Sequence, residues 1–198
     1  MRRIYPFVAA VLTLGCADSP SSTTAPKLSG AIVNGAEADR QGFGTDHGEK
    51  RLVLTMLTGD EEVPPRATPA HGQAHVRLSK DGLSMDYVLV ANDITNVIMA
   101  HIHVGAIGAN GPVRVWLYPS TSPGALTTAN GPHNGLLAQG SFDASNLQGI
   151  TWADFIAAIA AGNAYVNVHT NDFVGAQNTG PGDFPGGEIR GQLDKNGH

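Results

Sequence analysis

The sequence predicts an all-β protein: an antiparallel sandwich or barrel with one short crossover helix at about 151–161. Three observations lead there. Short apolar runs of strand length recur between residues 51 and 193, separated by clusters of Gly, Pro and Asn. Glycine (25) and proline (12) are frequent while charged residues make up only 15%, a balance that suits a turn-rich β protein better than a helical bundle. One segment breaks the β rhythm, and it alone carries apolar residues at helical spacing.

The runs follow in order. "RLVLTMLTG" opens the domain at residue 51, with Leu52 and Leu54 expected in the core. "DEEVPPRATPAHG" is a charged, proline-rich loop whose Asp60, Glu61 and Glu62 read as solvated. "GQAHVRLS" alternates, with Ala74, Val76 and Leu78 on one face. "LSMDYVLVAN" alternates too, and turns apolar on both faces at Val88 and Val90. "TNVIMAHIHVG", "PVRVWLYP" and "GLLAQGSFD" continue the series, and "AYVNVHT" and "GEIRGQL" complete it. Between the last strands, Trp152, Phe155, Ile156 and Ile159 share a helical face. Thr151 is the expected N-cap and Gly162 the expected stop.

The start of the chain reads as a targeting segment. "MRRIYPFVAAVLTLGC" joins two arginines to a short apolar run that is too short to span a bilayer stably. Cys16, the only cysteine, follows Gly15 as in a bacterial lipobox, although Thr13 stands where an aliphatic residue is usual. The expectation is a signal peptide at 1–15, lipidation at Cys16, a flexible tether to residue 50, a folded domain at 51–194 and a tail at 195–198. A lone cysteine allows no intrachain disulfide, so stability must come from the core. The localisation expected is the cell envelope, on its periplasmic side or at the cell surface, with a lipid anchor as the sole membrane contact. The partner expected is an unidentified protein or envelope component. Net charge is −5 and aromatics are 6%, which argues against a nucleic-acid surface.

The residues that carry chemistry sit in "AHIHVG" and "AYVNVHT". Strand side chains alternate, so His101 and His103 share one face, roughly 6.6 Å apart at Cα, opposite Ala100, Ile102 and Val104. His169 likewise points away from Val166 and Val168. Three imidazoles at strand ends can converge on one cation, with nitrogen–metal bonds of about 2.0 Å. Copper is the expected ion, ahead of zinc, with no other cofactor. His133 is a candidate fourth ligand, and His71 and His75 are spares. The competing reading is three polar residues bonded to loop carbonyls. "PGGEIRGQL" places Glu188, Arg190 and Gln192 on one face, either as a structural anchor or with Arg190 recognising an anion. The chain has no nucleophile elbow, P-loop or CxxC motif.

"LTGDEEVPP", "AHIHVGAIGANGPV", "AYVNVHT" and "PGGEIRGQL", in that order, resemble the chordin-type (CHRD) domain over about residues 51–194. The resemblance implies an immunoglobulin-like, Greek-key sandwich or barrel in a bacterial secreted protein or lipoprotein, with no established enzymatic activity. At the level of the site, "AHIHVG" and "YVNVHT" are similar to two ligand-bearing strands of copper-zinc superoxide dismutases, which would make His101, His103 and His169 copper ligands. The bridging histidine, the zinc-loop cluster and the cysteine pair of those enzymes have no clear counterpart. Three functions follow as expectations. The first is a lipid-anchored extracytoplasmic binding module with a His-lined metal site. The second is a copper-dependent, dismutase-like redox enzyme. The third is a structural or adhesion domain without a metal. A non-enzymatic role is favoured.

Overall fold

The computed structural model describes residues 52–121, 123–124 and 126–194. The expected signal peptide at 1–15, Cys16, the expected tether and the 195–198 tail lie outside the described residues. Eight strands form one sheet: β1 (Leu52–Thr58), β2 (His71–Leu78), β3 (Ser84–Thr95), β4 (Val97–Val104), β5 (Val113–Tyr118), β6 (Pro132–Asp143), β7 (Ala164–Thr170) and β8 (Ile189–Gln192). Among the described residues a single α-helix, α1 (Trp152–Ala160), precedes β7. The strands lie in the order β5-β4-β7-β8-β1-β2-β3-β6, and all pairings are antiparallel. The sheet curls into a nearly closed barrel.

The fold is all-β with one helix, as the sequence predicts. Thr151 caps α1, its hydroxyl accepting from the Asp154 amide, and Gly162 follows the helix at φ +71. Residues 164–170 form a strand over the length of "AYVNVHT". Between β3 and β4 the chain turns on one residue, Asn96, at φ +57. Its side-chain oxygen accepts from the Gly131 amide and its amide donates to Gly182 O, so an asparagine pays for the strained corner with two hydrogen bonds.

Inward side chains from all eight strands meet in one core with Phe155, Ile156 and Ile159 of α1. Val53, Val76, Met85, Leu89, Ile102, Val115, Val166, Val168 and Ile189 all belong to it. Each large aliphatic side chain buried there contributes about 1.5–3 kcal/mol. Ties across the gap between β5 and β6 help to close the barrel. The Tyr87 hydroxyl of β3 donates to Leu117 O of β5 at 2.8 Å, and Arg114 of β5 donates to the Gln148 and Gly149 carbonyls just beyond β6.

β1 inverts the expected face. Leu52 and Leu54 are 42% and 45% exposed, and Val53, Thr55 and Leu57 point inward instead. The run is apolar on both faces, so its pattern alone could not choose. The register does: Val53 pairs with inward Val76, and Leu54 with outward His75. Val88 is also exposed, so the outer face of β3 is not covered there.

Candidate metal centre

The polar residues of β4, β7 and β8 collect on the outer face of the barrel. Alternation puts Ala100, Ile102, Val166, Val168 and Ile189 inside and leaves His101, His103, Tyr165, Asn167, His169, Arg190 and Gln192 outside. Antiparallel register then sets Trp116, His101, Asn167 and Arg190 side by side across four strands. An outer face of this polarity would normally meet water. Here three loops cover it, and His101, His103 and His169 are only 2%, 8% and 5% exposed.

One loop is the 105–111 turn that follows β4. Arg190, fully buried, donates to Ala106 O at 3.3 Å and Ala109 O at 3.1 Å, and its guanidinium lies 3.4 Å above the Tyr165 ring. Gln192 donates to Gly105 O. The second loop, 59–70, is joined to the first where Asn110 donates to Val63 O at 2.8 Å. The third runs from Asn171 to Gly187 and is anchored by Glu188. That carboxylate accepts from the Thr68 and Thr170 hydroxyls and from the Gly182 amide, at 2.5, 2.6 and 2.9 Å. Glu188 and Arg190 thus have their bonding capacity turned to the loops.

The three histidines come together under this cover. One nitrogen from each lies within 4.8 Å of the others. His103 Nδ1 faces Gly111 O at 2.8 Å and His169 Nδ1 faces Pro185 O at 2.9 Å. A carbonyl can only accept, so each Nδ1 carries the proton and each Nε2 keeps its lone pair. This is the arrangement in which backbone carbonyls orient metal-ligating imidazoles. Gly111 also packs its Cα where a Cβ would stand 1.8 Å from Val104 O, so the carbonyl that holds His103 requires glycine.

The spacing suits a small cation. His101 Nδ1 and His169 Nε2 are 3.1 Å apart, the span of two bonds of about 2.0 Å meeting at about 100°. His103 stands further out, with its ring centroid 5.5 Å from that of His101 and 6.2 Å from that of His169. It would close by a swing on the order of 1 Å to reach bonds of that length. The Nε2 atoms of His101 and His103 are buried with no hydrogen-bond partner. His169 Nε2 also has Asn167 Oδ1 at 2.9 Å. A neutral imidazole cannot donate to both Pro185 O and Asn167 Oδ1. A cation between nitrogen and oxygen relieves the conflict on binding.

Aromatic rings complete the walls. Trp116 meets His101 edge-on at 4.4 Å, and Tyr165 stacks on His103 at 4.8 Å. Glu62, read from the sequence as solvated, is 4% exposed. Its carboxylate lies near Asn167, Arg190 and Arg66. Sequence reasoning missed Glu62, Asn167 and Trp116; alternation with His169 was the available signal for Asn167. His133 is not part of the cluster: it lies on β6 opposite Ile94, with its ring against Gly135 O. His71 is exposed on β2, facing Pro69 O and Asp93, and His75 is an outward residue of the same strand.

Burial sets the charge state. Desolvation, with repulsion from His169 and His103, holds His101 down at about 2. Desolvation also holds His169 at about 4, against the opposing pull of Pro185 O. His103 is lowered by burial, in part offset by Gly111 O and Asn167. All three are neutral at pH 7, as metal ligation requires. Proton competition therefore starts well below the pH of about 6 expected of ordinary imidazoles, and metal binding should persist at pH 5 and fail towards pH 4. Binding isotherms across that range check this.

The same shifts predict acid lability of the metal-free domain. Unfolded imidazoles take a proton near 6.5, and the folded rings resist it. The stability that depends on neutral rings is complete above pH 6.5 and is lost as pH falls through the folded values. The slope is roughly 1.4 kcal/mol per pH unit for each ring. Glu62 works the other way. Burial raises it to about 7, so its penalty applies above pH 7 and fades as pH falls to 4.5. Three rings outweigh one carboxyl, and urea midpoints should fall steadily below pH 6.5.

The CHRD domain model matches residues 53–177, which span β1 to β7 and all three histidines. The chain belongs to the CHRD domain family. No curated protein and no solved structure gives a match. Within this CHRD domain the described residues contain a three-histidine group able to hold a metal ion.

Proposed function

We propose that the protein is an exported, lipid-anchored CHRD module that binds one transition-metal ion, copper in preference to zinc, through His101, His103 and His169. The observation that carries this reading is the pair of carbonyl-oriented imidazoles, His103 and His169, beside two buried Nε2 atoms with no partner. An unpartnered buried acceptor costs about 1–3 kcal/mol, so two beside each other suit a ligand better than a resting polar face. A nitrogen donor set favours copper over zinc. The loop cover favours holding an ion over turning over a substrate.

Attachment at Cys16 with a tether to residue 50 would keep the domain near an envelope membrane, where its partner is an envelope component. The support is the lone cysteine directly after an apolar run and Gly15. Labelled palmitate should enter the full chain and be lost in Cys16→Ser; label that survives the change removes the anchor from the account.

Trp116 offers a direct readout of the metal. It stands against His101, whereas Trp152 packs in the core region against Phe142. One equivalent of Cu(II) should quench Trp116 emission with saturation at one ion per chain, and Trp116→Phe should remove most of the quench. Quenching that rises without saturation would mean collisional contact, and the metal reading would fail.

A further inference from the structure

The ion in this reading would be poorly compensated by its ligands. Three neutral imidazoles bring no negative charge, and a divalent ion under the loops is costly to bury without a counter-charge. Arg190 adds a positive charge close by. Glu188 is a carboxylate of the same strand region, but its oxygens are taken by Thr68, Thr170 and Gly182. Among the described residues two buried carboxylate oxygens have no hydrogen-bond partner, Glu62 Oε1 and Asp183 Oδ1. The other oxygen of Asp183 is taken by Thr179, and it is Glu62 that lies beside Arg190 and Asn167 of the histidine face.

Glu62 is held in place by shape. Gly187 has φ +126, and a Cβ there would stand 2.3 Å from Glu62 Oε1 and 2.9 Å from Oε2, so a glycine leaves the space the carboxylate occupies. Its neighbours are Arg190, the Val63 amide, Arg66 and the Asn167 side chain. It forms no ion pair within 4 Å among those seen in the described residues, which join Arg77 to Asp86 and His71 to Asp93. Arg190 spends its donors on Ala106, Ala109, Asn110 and Gln192. Asn167 reaches the other way, its oxygen 2.9 Å from His169 Nε2. A carboxylate accepts only, so it draws the amide nitrogen of Asn167 and turns the amide oxygen to the imidazoles.

Resting on the metal reading above, we infer that Glu62 is the outer carboxylate of the three-histidine site. It supplies the negative charge that a bound dication requires, and it acts through Asn167 without touching the ion. It is a positioning and charge-balancing residue, and it sets the preference between ions of different charge. Coulomb energy scales with the product of charges. Removing one negative charge should therefore cost a dication about twice as much, in the logarithm of affinity, as a monocation at the same place.

Glu62→Gln keeps the shape and removes the charge. Competition titrations with Cu(II), Zn(II) and Cu(I), on the full chain and well above the carboxyl pKa of about 7, decide the matter. Cu(II) and Zn(II) affinities should fall about 100-fold and Cu(I) affinity about 10-fold, with the circular dichroism unchanged. Arg66→Gln, which removes a neighbouring cation, should shift dication affinity the opposite way. Equal losses for Cu(I) and Cu(II), or no loss, overturn the role of Glu62 while leaving the metal site standing. If Glu62→Gln does not fold, a failure of Arg66→Gln to raise dication affinity overturns it alone. A wild-type chain that binds none of the three ions removes the metal reading itself.

Discussion

Arg190→Ala should lower the unfolding free energy by roughly 3–5 kcal/mol, the cost of breaking a buried charged network from one side. The side chain is 1% exposed and lies under the 105–111 turn. Truncation strips donors from Ala106 O, Ala109 O and the Gln192 side chain, and removes the cation from the face of Tyr165. Each carbonyl left dry costs about 1–3 kcal/mol. Buried Glu62 also loses the neighbouring Arg190 cation. Domains of this size hold about 5–15 kcal/mol in all, so the variant should sit close to its unfolding midpoint at 37 °C. Arg190→Lys should recover little, because an ammonium cannot serve several carbonyls in one plane or stack on a ring. Urea titration followed by circular dichroism measures both. A loss within 1 kcal/mol would mean that the turn holds itself.

His169→Ala should separate binding from folding. Copper affinity should drop on the order of 100-fold or more, since changes to the outer-shell partners of metal ligands already cost 10–100-fold. Stability should move little in comparison, by about 1–2 kcal/mol for the dry Pro185 carbonyl. The packing residues of β7, Val166 and Val168, face the other way. His101→Ala and His103→Ala should behave alike, and calorimetry on all three variants checks it. Variants that unfold instead of losing the ion would show that the outer face holds the barrel together. Gly187→Ala should be milder. The added carbon meets Glu62 in a backbone conformation that L residues rarely adopt, with a destabilisation of about 1–3 kcal/mol.

The β7 strand and the α1 helix were legible in the sequence because local rules decide them. "AYVNVHT" alternates cleanly between valines and polar residues, and α1 carries its own cap and stop. The convergence of His101, His103 and His169 followed from alternation plus the antiparallel pairing of β4 with β7. β1 misled because its apolar residues lie on both faces, so the choice rests on its partners in β2. Glu62 misled for a different reason. Its neighbours in sequence are charged residues and prolines, which read as a solvated loop, but the atoms that bury it come from Gly187, Asn167 and Arg190 far along the chain. His133 lies on β6 opposite Ile94 of β3, a pairing that residue spacing does not encode.

The central claim is that three imidazoles share one ion. Electron paramagnetic resonance of protein prepared without a histidine tag, given one equivalent of Cu(II), tests it most directly. The account predicts a single copper species with splitting from three equatorial nitrogens, still present at pH 5 and absent in His169→Ala. A spectrum of free or loosely held copper in the wild-type protein, or one unchanged by that substitution, would contradict it.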